Sequence, residues 1–318
     1  MLAINIILLI VGFIILIKGA DFFVDGASSV ASNFKVSKML IGLTIVAFGT
    51  SAPEFAVSVK SLLSGSGDIV LGNVIGSNIL NILLILGASA MFHSLNVKNN
   101  TVKKELPITM LITTLFAVLL SDHIFDNNVV NCFTRGDGIV LLLFFSVFLY
   151  YLISMSRKKI DVDQDEKPAM SLSKSFIWTI GGIAAIVLGS NAVVDSATYL
   201  AKAIGVSERL ISLTIIALGT SLPELVTSIT ATRKGEYDIA IGNVVGSNVF
   251  NIGIVIGLPV AILGGIEKIA FSYIDLIVMI ASAVLLFIFS VKDNKISKKE
   301  GLVFLLIFVV YYTYVILT

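Results

Sequence analysis

The chain is 318 residues long, 57% of them hydrophobic and 14% charged, with a mean hydropathy of +1.00 and a formal net charge of +1. A soluble domain carries about 25% charged residues, so this much apolar side chain exceeds what one core can hide and makes the bilayer the expected solvent. The balanced charge gives no electrostatic grip on nucleic acid. The single cysteine, Cys132, excludes an intrachain disulfide and a multi-cysteine metal site, and reads as a plain residue at a loop or span edge.

In chain order, residues 2–17 form the first apolar run. It has no basic residues ahead of it, and Lys18 falls after it, so it reads as a retained span rather than a cleaved leader. Ten segments reach about 17 residues, the length needed to cross ~30 Å of hydrocarbon. They lie near 2–25, 38–64, 69–92, 106–121, 137–155, 174–199, 209–232, 239–263, 270–290 and 301–317. Trp178, Tyr150–Tyr151 and Tyr311–Tyr312 fall toward span ends, where interfacial aromatics belong.

One set of alternate loops carries sixteen Lys or Arg, including Lys35, Lys38, Lys98, Lys158, Lys159, Lys167 and Lys234; the other carries five, including Arg209 and Lys268. By the positive-inside rule the first set is cytoplasmic, which puts both termini outside a plasma membrane.

Shifting the sequence by 170 lays "DIVLGNVIGSNILNILLILG" (68–87) on "DIAIGNVVGSNVFNIGIVIG" (238–257), with eleven of 20 positions identical. The same shift superposes "GTSAPE" (49–54) on "GTSLPE" (219–224). This is an internal repeat. Five spans per copy is an odd number, so the second copy is inverted. The expected fold is an all-α integral membrane protein of ten transmembrane helices in two inverted five-helix repeats, residues 1–155 and 174–318, joined by a cytoplasmic linker, 156–173. Inverted repeats with matching helix breaks are the layout of secondary transporters. In the linker, Asp161, Asp163 and Asp165 resemble the start of a calcium loop, but Glu166 stands where the turn glycine belongs and Leu172 where the bidentate acid belongs. A solvated linker is the better reading.

A carboxylate at mid-membrane costs at least ~2.5–3.5 kcal/mol, and Glu54 and Glu224 have no basic residue at similar depth in their own or the following spans. A bound cation or proton would supply the missing charge. Ala47, Thr50, Ser51 and Glu54 share one helix face by their i, i+3, i+4, i+7 spacing, as do Ala217, Thr220, Ser221 and Glu224. In the following spans Ser77 and Asn81, and Ser247 and Asn251, each lie four apart. These are oxygen donors, the ligands hard cations require. Pro53 and Pro223 each remove a helical hydrogen bond, which would leave the carbonyls of Gly49 and Gly219 open as further ligands.

Other polar and small residues have plainer readings. Gly76, Gly246, Gly87 and Gly257 fit close helix packing. Asn73, Asn78, Asn243 and Asn248 fit capping or bridging as well as ligation. Asp25 and Asp195 read as caps near span ends, and His93 and His123 as loop residues.

With its paired G-T-S-x-P-E and G-S-N-x-x-N motifs, the chain resembles the cation/Ca²⁺ antiporter superfamily, in its sodium/calcium exchanger branch. The resemblance implies alternating access, with the first and sixth helices sliding over a rigid core. It implies Glu54 and Glu224 as shared ligands of Ca²⁺ and Na⁺, with the carbonyls of Thr50 and Thr220 at the Ca²⁺ position. Ala47, Ser51 and Ser247 would line one flanking Na⁺ site; Ala217, Ser221 and Ser77 the other; Asn81 and Asn251 the middle. Several family members carry Asp where this chain has Asn251.

The expected function is Na⁺/Ca²⁺ exchange by a protein that acts as a monomer, needs no cofactor and is no enzyme. Ca²⁺/H⁺ exchange is the alternative, because buried glutamates can carry protons. Against it, the proton-coupled branch reads G-N-A-x-E where this chain reads "GTSAPE". A channel pore ring is the third reading, and an inverted repeat around a broken helix opposes it.

Overall fold

Long apolar runs without interior proline fold into long helices here, and Gly-Thr-Ser-x-Pro interrupts them. The computed structural model describes residues 2–125, 131–157, 169–206, 211, 214–215, 217–267, 269 and 272–317. Helix α1 (Leu2–Phe34) is followed by the bent pair α2a (Lys38–Thr50) and α2b (Ala52–Leu63), then α3 (Gly67–Phe92). A π-helical turn, Thr101–Glu105, leads into α4 (Leu106–Leu119), and α5 (Arg135–Arg157) follows. After the linker come α6 (Leu172–Ala203), the broken α7a (Ala217–Thr220) and α7b (Leu222–Arg233), α8 (Tyr237–Leu263), α9 (Tyr273–Asp293) and α10 (Lys298–Leu317).

Among the described residues, seven helices are long and apolar enough to cross a bilayer: α1, α3, α5, α6, α8, α9 and α10. The bent α2 pair makes an eighth. The ten expected segments are therefore met in part. Helix α4 has only 14 residues beyond the π-helical turn, whose Lys103, Lys104 and Glu105 make that part too charged to count toward an apolar span, and α7 is split by its Gly-Thr-Ser-Leu-Pro sequence. The first and sixth helices outrun the expected 2–25 and 174–199, since their Ala- and Ser-rich ends continue as helix. At 1.5 Å per residue, the 33 residues of α1 span about 50 Å, well beyond the hydrocarbon.

Helices α3 and α8 occupy the centre, with 72% and 78% of their apolar stretches buried, against 17% for α1 and 11% for α10. The main core packs Leu83, Phe116, Phe148, Val244 and Ile252 between α3, α4, α5 and α8. Outside it, α1 and α6 run antiparallel against each other over a glycine seam. Gly12 meets Val193, Leu16 meets Gly189, Phe23 meets Gly182 and Gly26 meets Thr179. A Cβ on Gly182 or Gly189 would sit 2.6 Å from the partner's backbone, so only glycine permits this approach. The other expected packing glycines behave similarly: Gly246 abuts Leu43 and Ala47, Gly87 abuts Gly301, and Gly257 abuts Leu141, while Gly76 meets no described neighbour.

Several readings need correction. His123 lies in a short helix, Asp122–Phe125, because Asp122 opens a helical turn. Asp25 and Asp195 cap nothing: both lie inside helices, α1 and α6. Tyr151 and Tyr311 do more than mark interfaces. Tyr151 donates to Glu105, and Tyr311 to Asp275 at 2.9 Å, two acids that stand 170 positions apart. Linker residues 158–168, with the aspartates at 161, 163 and 165, lie outside the described residues, as do Arg209 and Lys268. Met170, at the linker's far end, is held to α1 by Asn33 Nδ2, which donates to its carbonyl at 3.0 Å.

Loops of the lysine-rich set gather at one end of the molecule. Lys38 pairs with Glu236 at 3.0 Å, Lys98 pairs with Asp238, and Lys234 reaches Asp25 at 2.7 Å.

Candidate functional site

Each GTSxPE motif breaks its helix at the serine. Ser51 and Ser221 have φ/ψ of −80/5° and −89/4°, and each following helix starts with proline at its first turn, where the missing N–H costs nothing. The break turns α2 by 45° and delivers Glu54 and Glu224 in the first turns of α2b and α7b. Both carboxylates are fully interior, each 1% exposed.

The two motifs cross over. Ser51 Oγ donates to Glu224 Oε1 at 3.2 Å, and Ser221 Oγ donates to Glu54 Oε1 at 3.4 Å while lying 3.3 Å from Ser77 Oγ. Each half thus holds the other half's acid, and the sequence could not show this pairing. The asparagines form a second crossed layer: Asn81 Nδ2 donates to Asn248 Oδ1 at 2.9 Å, and Asn251 Nδ2 to Asn78 Oδ1 at 3.1 Å. Asn78 and Asn248 are therefore bridges. So are Asn73 and Asn243, which donate to the carbonyls of Glu54 and Glu224, at 3.2 and 3.4 Å. Asn243 Oδ1 also accepts from Thr50 Oγ1 at 3.0 Å.

What remains unpartnered is informative. Glu54 Oε2, Glu224 Oε2, Asn81 Oδ1, Asn251 Oδ1 and Ser247 Oγ are buried without a hydrogen-bond partner. Every one is an oxygen. An orphaned buried polar atom costs ~1–3 kcal/mol, more if charged. Six further buried oxygens elsewhere, Glu105 Oε2 among them, are orphaned too, but the five within the motif pairs include both glutamates, whose charge a bound cation or proton would satisfy. Among the described residues no group of three or more His, Cys, Asp or Glu gathers to hold a metal. The charge here is two carboxylates, and the rest of the oxygens are neutral.

The other expected site residues fall in the same elements. Ala47 is buried at the start of the last turn of α2a, against Gly246 of α8; Ala217 opens α7a; and Thr220 lines a cavity beside the break. The open-carbonyl expectation fails at Gly219, whose oxygen accepts from Ser190 Oγ of α6 at 3.0 Å. Ser190 was missed, and its mate by the 170 shift is Ala20, which cannot donate. Also missed were the π-helical segments Asn81–Leu86 and Asn251–Ile256, which begin at the two mid-site asparagines. Such π segments are frequent at functional sites, and the only sequence signal was that both follow G-S-N.

Fold and site together define a helical membrane protein with an acid- and oxygen-rich centre built from two copies of one motif. The match with known proteins agrees: the family model described as sodium/calcium exchanger protein covers residues 4–154 and 174–317, and the chain belongs to that family. It is similar to the inner membrane protein YrbG of Escherichia coli, at 38% identity over 83% of this chain and 82% of that one. It is also similar to the sodium/calcium exchanger MaX1 of Methanosarcina acetivorans, at 31% identity over 98% of both. Among solved structures, the sodium-calcium exchanger NCX_Mj soaked with 2.5 mM Na⁺ and 0.1 mM Ca²⁺ superposes with a TM-score of 0.84, at 30% identity over 98% of both chains.

Proposed function

We propose that the protein exchanges Na⁺ for Ca²⁺ across the plasma membrane by alternating access, at the site between the two GTSxPE motifs. The observation that carries this reading is the set of five orphaned oxygens in the motif pairs, two of them on the carboxylates that the crossed serine–glutamate bonds hold. Two negative charges match one divalent ion, and the neutral oxygens suit the extra coordination that hard cations take. Family membership and the likeness to a structure soaked with Na⁺ and Ca²⁺ support the same reading.

In this reading Glu54 and Glu224 ligate every transported ion, with the carbonyls of Thr50 and Thr220 at the Ca²⁺ position. Ala47, Ser51 and Ser247 line one Na⁺ position, and Ala217, Ser221 and Ser77 the other. The chain forms ten spans in two inverted repeats, residues 1–155 and 174–318, with both termini outside and the linker 156–173 in the cytoplasm. The antiparallel packing of α1 on α6 is what such an inversion requires of mated helices.

The test is ⁴⁵Ca²⁺ uptake into vesicles under an imposed Na⁺ gradient, set against an imposed pH gradient. Uptake driven by Na⁺ and indifferent to pH is the expected result. Uptake driven by the pH gradient alone would replace this reading with Ca²⁺/H⁺ exchange.

A further inference from the structure

Asp25 and Asp195 are repeat mates on α1 and α6, and so are Asp21 and Asn191, one turn earlier. The structure fills one of these pairs and leaves the other open. On α1, the Lys234 ammonium sits between the two acids, 2.7 Å from Asp25 Oδ1 and 3.4 Å from Asp21 Oδ1. On α6, Asp195 is exposed and has no ion pair among the described residues; the mates of Lys234 and Glu236 are the neutral Ser64 and Ser66. Asn191 and Asp195 instead line a cavity of about 400 Å³, which runs past Ser190 to Pro53 and Thr220. Those last two residues adjoin Glu54 and Ser221 in the chain. The antiparallel seam sets the two pairs at opposite ends: Gly12 lies by Val193 and Gly26 by Thr179, fourteen residues or about 21 Å apart along α1.

We propose that Asp195, with the amide oxygen of Asn191, is a capture position for a hydrated Na⁺ or Ca²⁺ at the mouth of the path to the central site. Two observations carry it. The same two helix positions grip a cation in the other half, where that cation is the chain's own ammonium. Among the described residues, Asp195 is also the one charged residue lining the cavity, whose walls include Val57, Val187 and Val194. Apolar walls around a single charge focus its field into the mouth and raise the local cation concentration. The exposure of Asp195 keeps a captured ion hydrated and loosely held, so it can move on to Glu54 and Glu224.

The inference rests on the exchange reading, so its test has an arm that needs no transport. On purified protein, rapid-filtration ⁴⁵Ca²⁺ binding at about 10 mM ionic strength, where charges act over ~30 Å, gives the association rate. Asp195→Asn is expected to slow it about fivefold, and Asp195→Glu to restore it. In right-side-out and inside-out vesicles, Asp195→Asn should raise the KM for Ca²⁺ several-fold at the cavity face alone, with kcat unchanged. The effect should fade at about 0.3 M choline chloride, as screening requires. An unchanged association rate, an equal rise in KM at both faces, or a loss of kcat at constant KM would overturn the proposal. If the unaltered protein binds Ca²⁺ but carries no Na⁺-driven flux, the exchange reading fails, and the binding arm still decides the role of Asp195.

Discussion

Glu54 and Glu224 receive matching serine hydroxyls from opposite halves of the chain, and Asn81 and Asn251 donate to matching asparagines. Near the ends of α1 and α6 the match is lost. Lys234 joins α7b to α1 through Asp21 and Asp25, and Glu236 takes Ser28 and Lys38 at 2.8 and 3.0 Å. The mated positions on the other side, Ser64 and Ser66, bond to each other at 3.4 Å, and Asp195 has no ion pair among the described residues. Under the exchange reading a centre that meets an ion from either side has reason to keep its symmetry, and the ends have none. The lysine-rich end is bridged by the ion pairs of Lys38, Lys98 and Lys234, and the other end holds the cavity lined by Asn191 and Asp195.

The comparison can be broken first at its symmetric part. Glu54→Gln and Glu224→Gln should each lower Na⁺-driven Ca²⁺ uptake at least a hundredfold, and equally. Each removes one of two charges facing a divalent ion in low dielectric. Near-normal flux in either variant, with the protein still monodisperse in detergent, would refute the shared site.

The asymmetric part should yield less. Lys234→Met removes the ammonium between Asp21 and Asp25, a part-exposed pair of contacts worth up to about 1 kcal/mol. That is roughly a fivefold shift toward the state open at the lysine-rich end. Transport assayed from that face should show a KM for Ca²⁺ lower by about two- to fivefold, and an unchanged KM would deny the latch.

Asn251 tests the centre for a finer difference. Its Nδ2 donates to Asn78 Oδ1, which a carboxylate could not do, and two carboxylates leave no charge to hold K⁺ beside Ca²⁺. Replacing K⁺ by choline on both sides should therefore change flux less than about twofold. A several-fold loss would show K⁺ loading.

A test that leaves transport aside is available at Cys132. Burial, and then the neighbouring Asp122 carboxylate, push its thiol pKa up. At pH 7–8 less of it is thiolate than for a free cysteine, so maleimide labelling should be slow and should quicken as pH rises toward 10. Asp122→Asn removes part of the upward push and should speed labelling a few-fold at pH 8. With an impermeant maleimide, label entering from outside supports the orientation inferred from the basic loops, and label entering only from inside reverses it.

Much of this was legible because the sequence repeats itself. The 170-residue shift paired Glu54 with Glu224 and Asn81 with Asn251 without any coordinates. Helix breaks at the GTSxPE motifs follow from proline chemistry alone. What the repeat could not reveal was contact between the copies: Ser51 on Glu224, or Asn243 under Thr50, depends on how the halves dock. The roles of Asp25 and Asp195 were misread because position near a span end suggested capping, while an ion pair to Lys234, 209 positions away, has no local signature. Ser190 was passed over for a similar reason, since its partner is a backbone carbonyl that a proline elsewhere had freed.

The glycine seam between α1 and α6 has a mechanical corollary. Two helices whose backbones approach this closely, with only small or tightly fitted side chains such as Ala185 and Val193 in the seam, have little room to slip past each other and act as one body. One end of that pair carries Asp25 with its ion pair to Lys234, and the other carries Asp195 beside the cavity. Under the exchange reading, a pair that moves as one body would couple what happens at its two ends. An alanine at Gly182 or Gly189 would wedge the seam apart at 2.6 Å from bare backbone, and would loosen that coupling without touching Glu54 or Glu224.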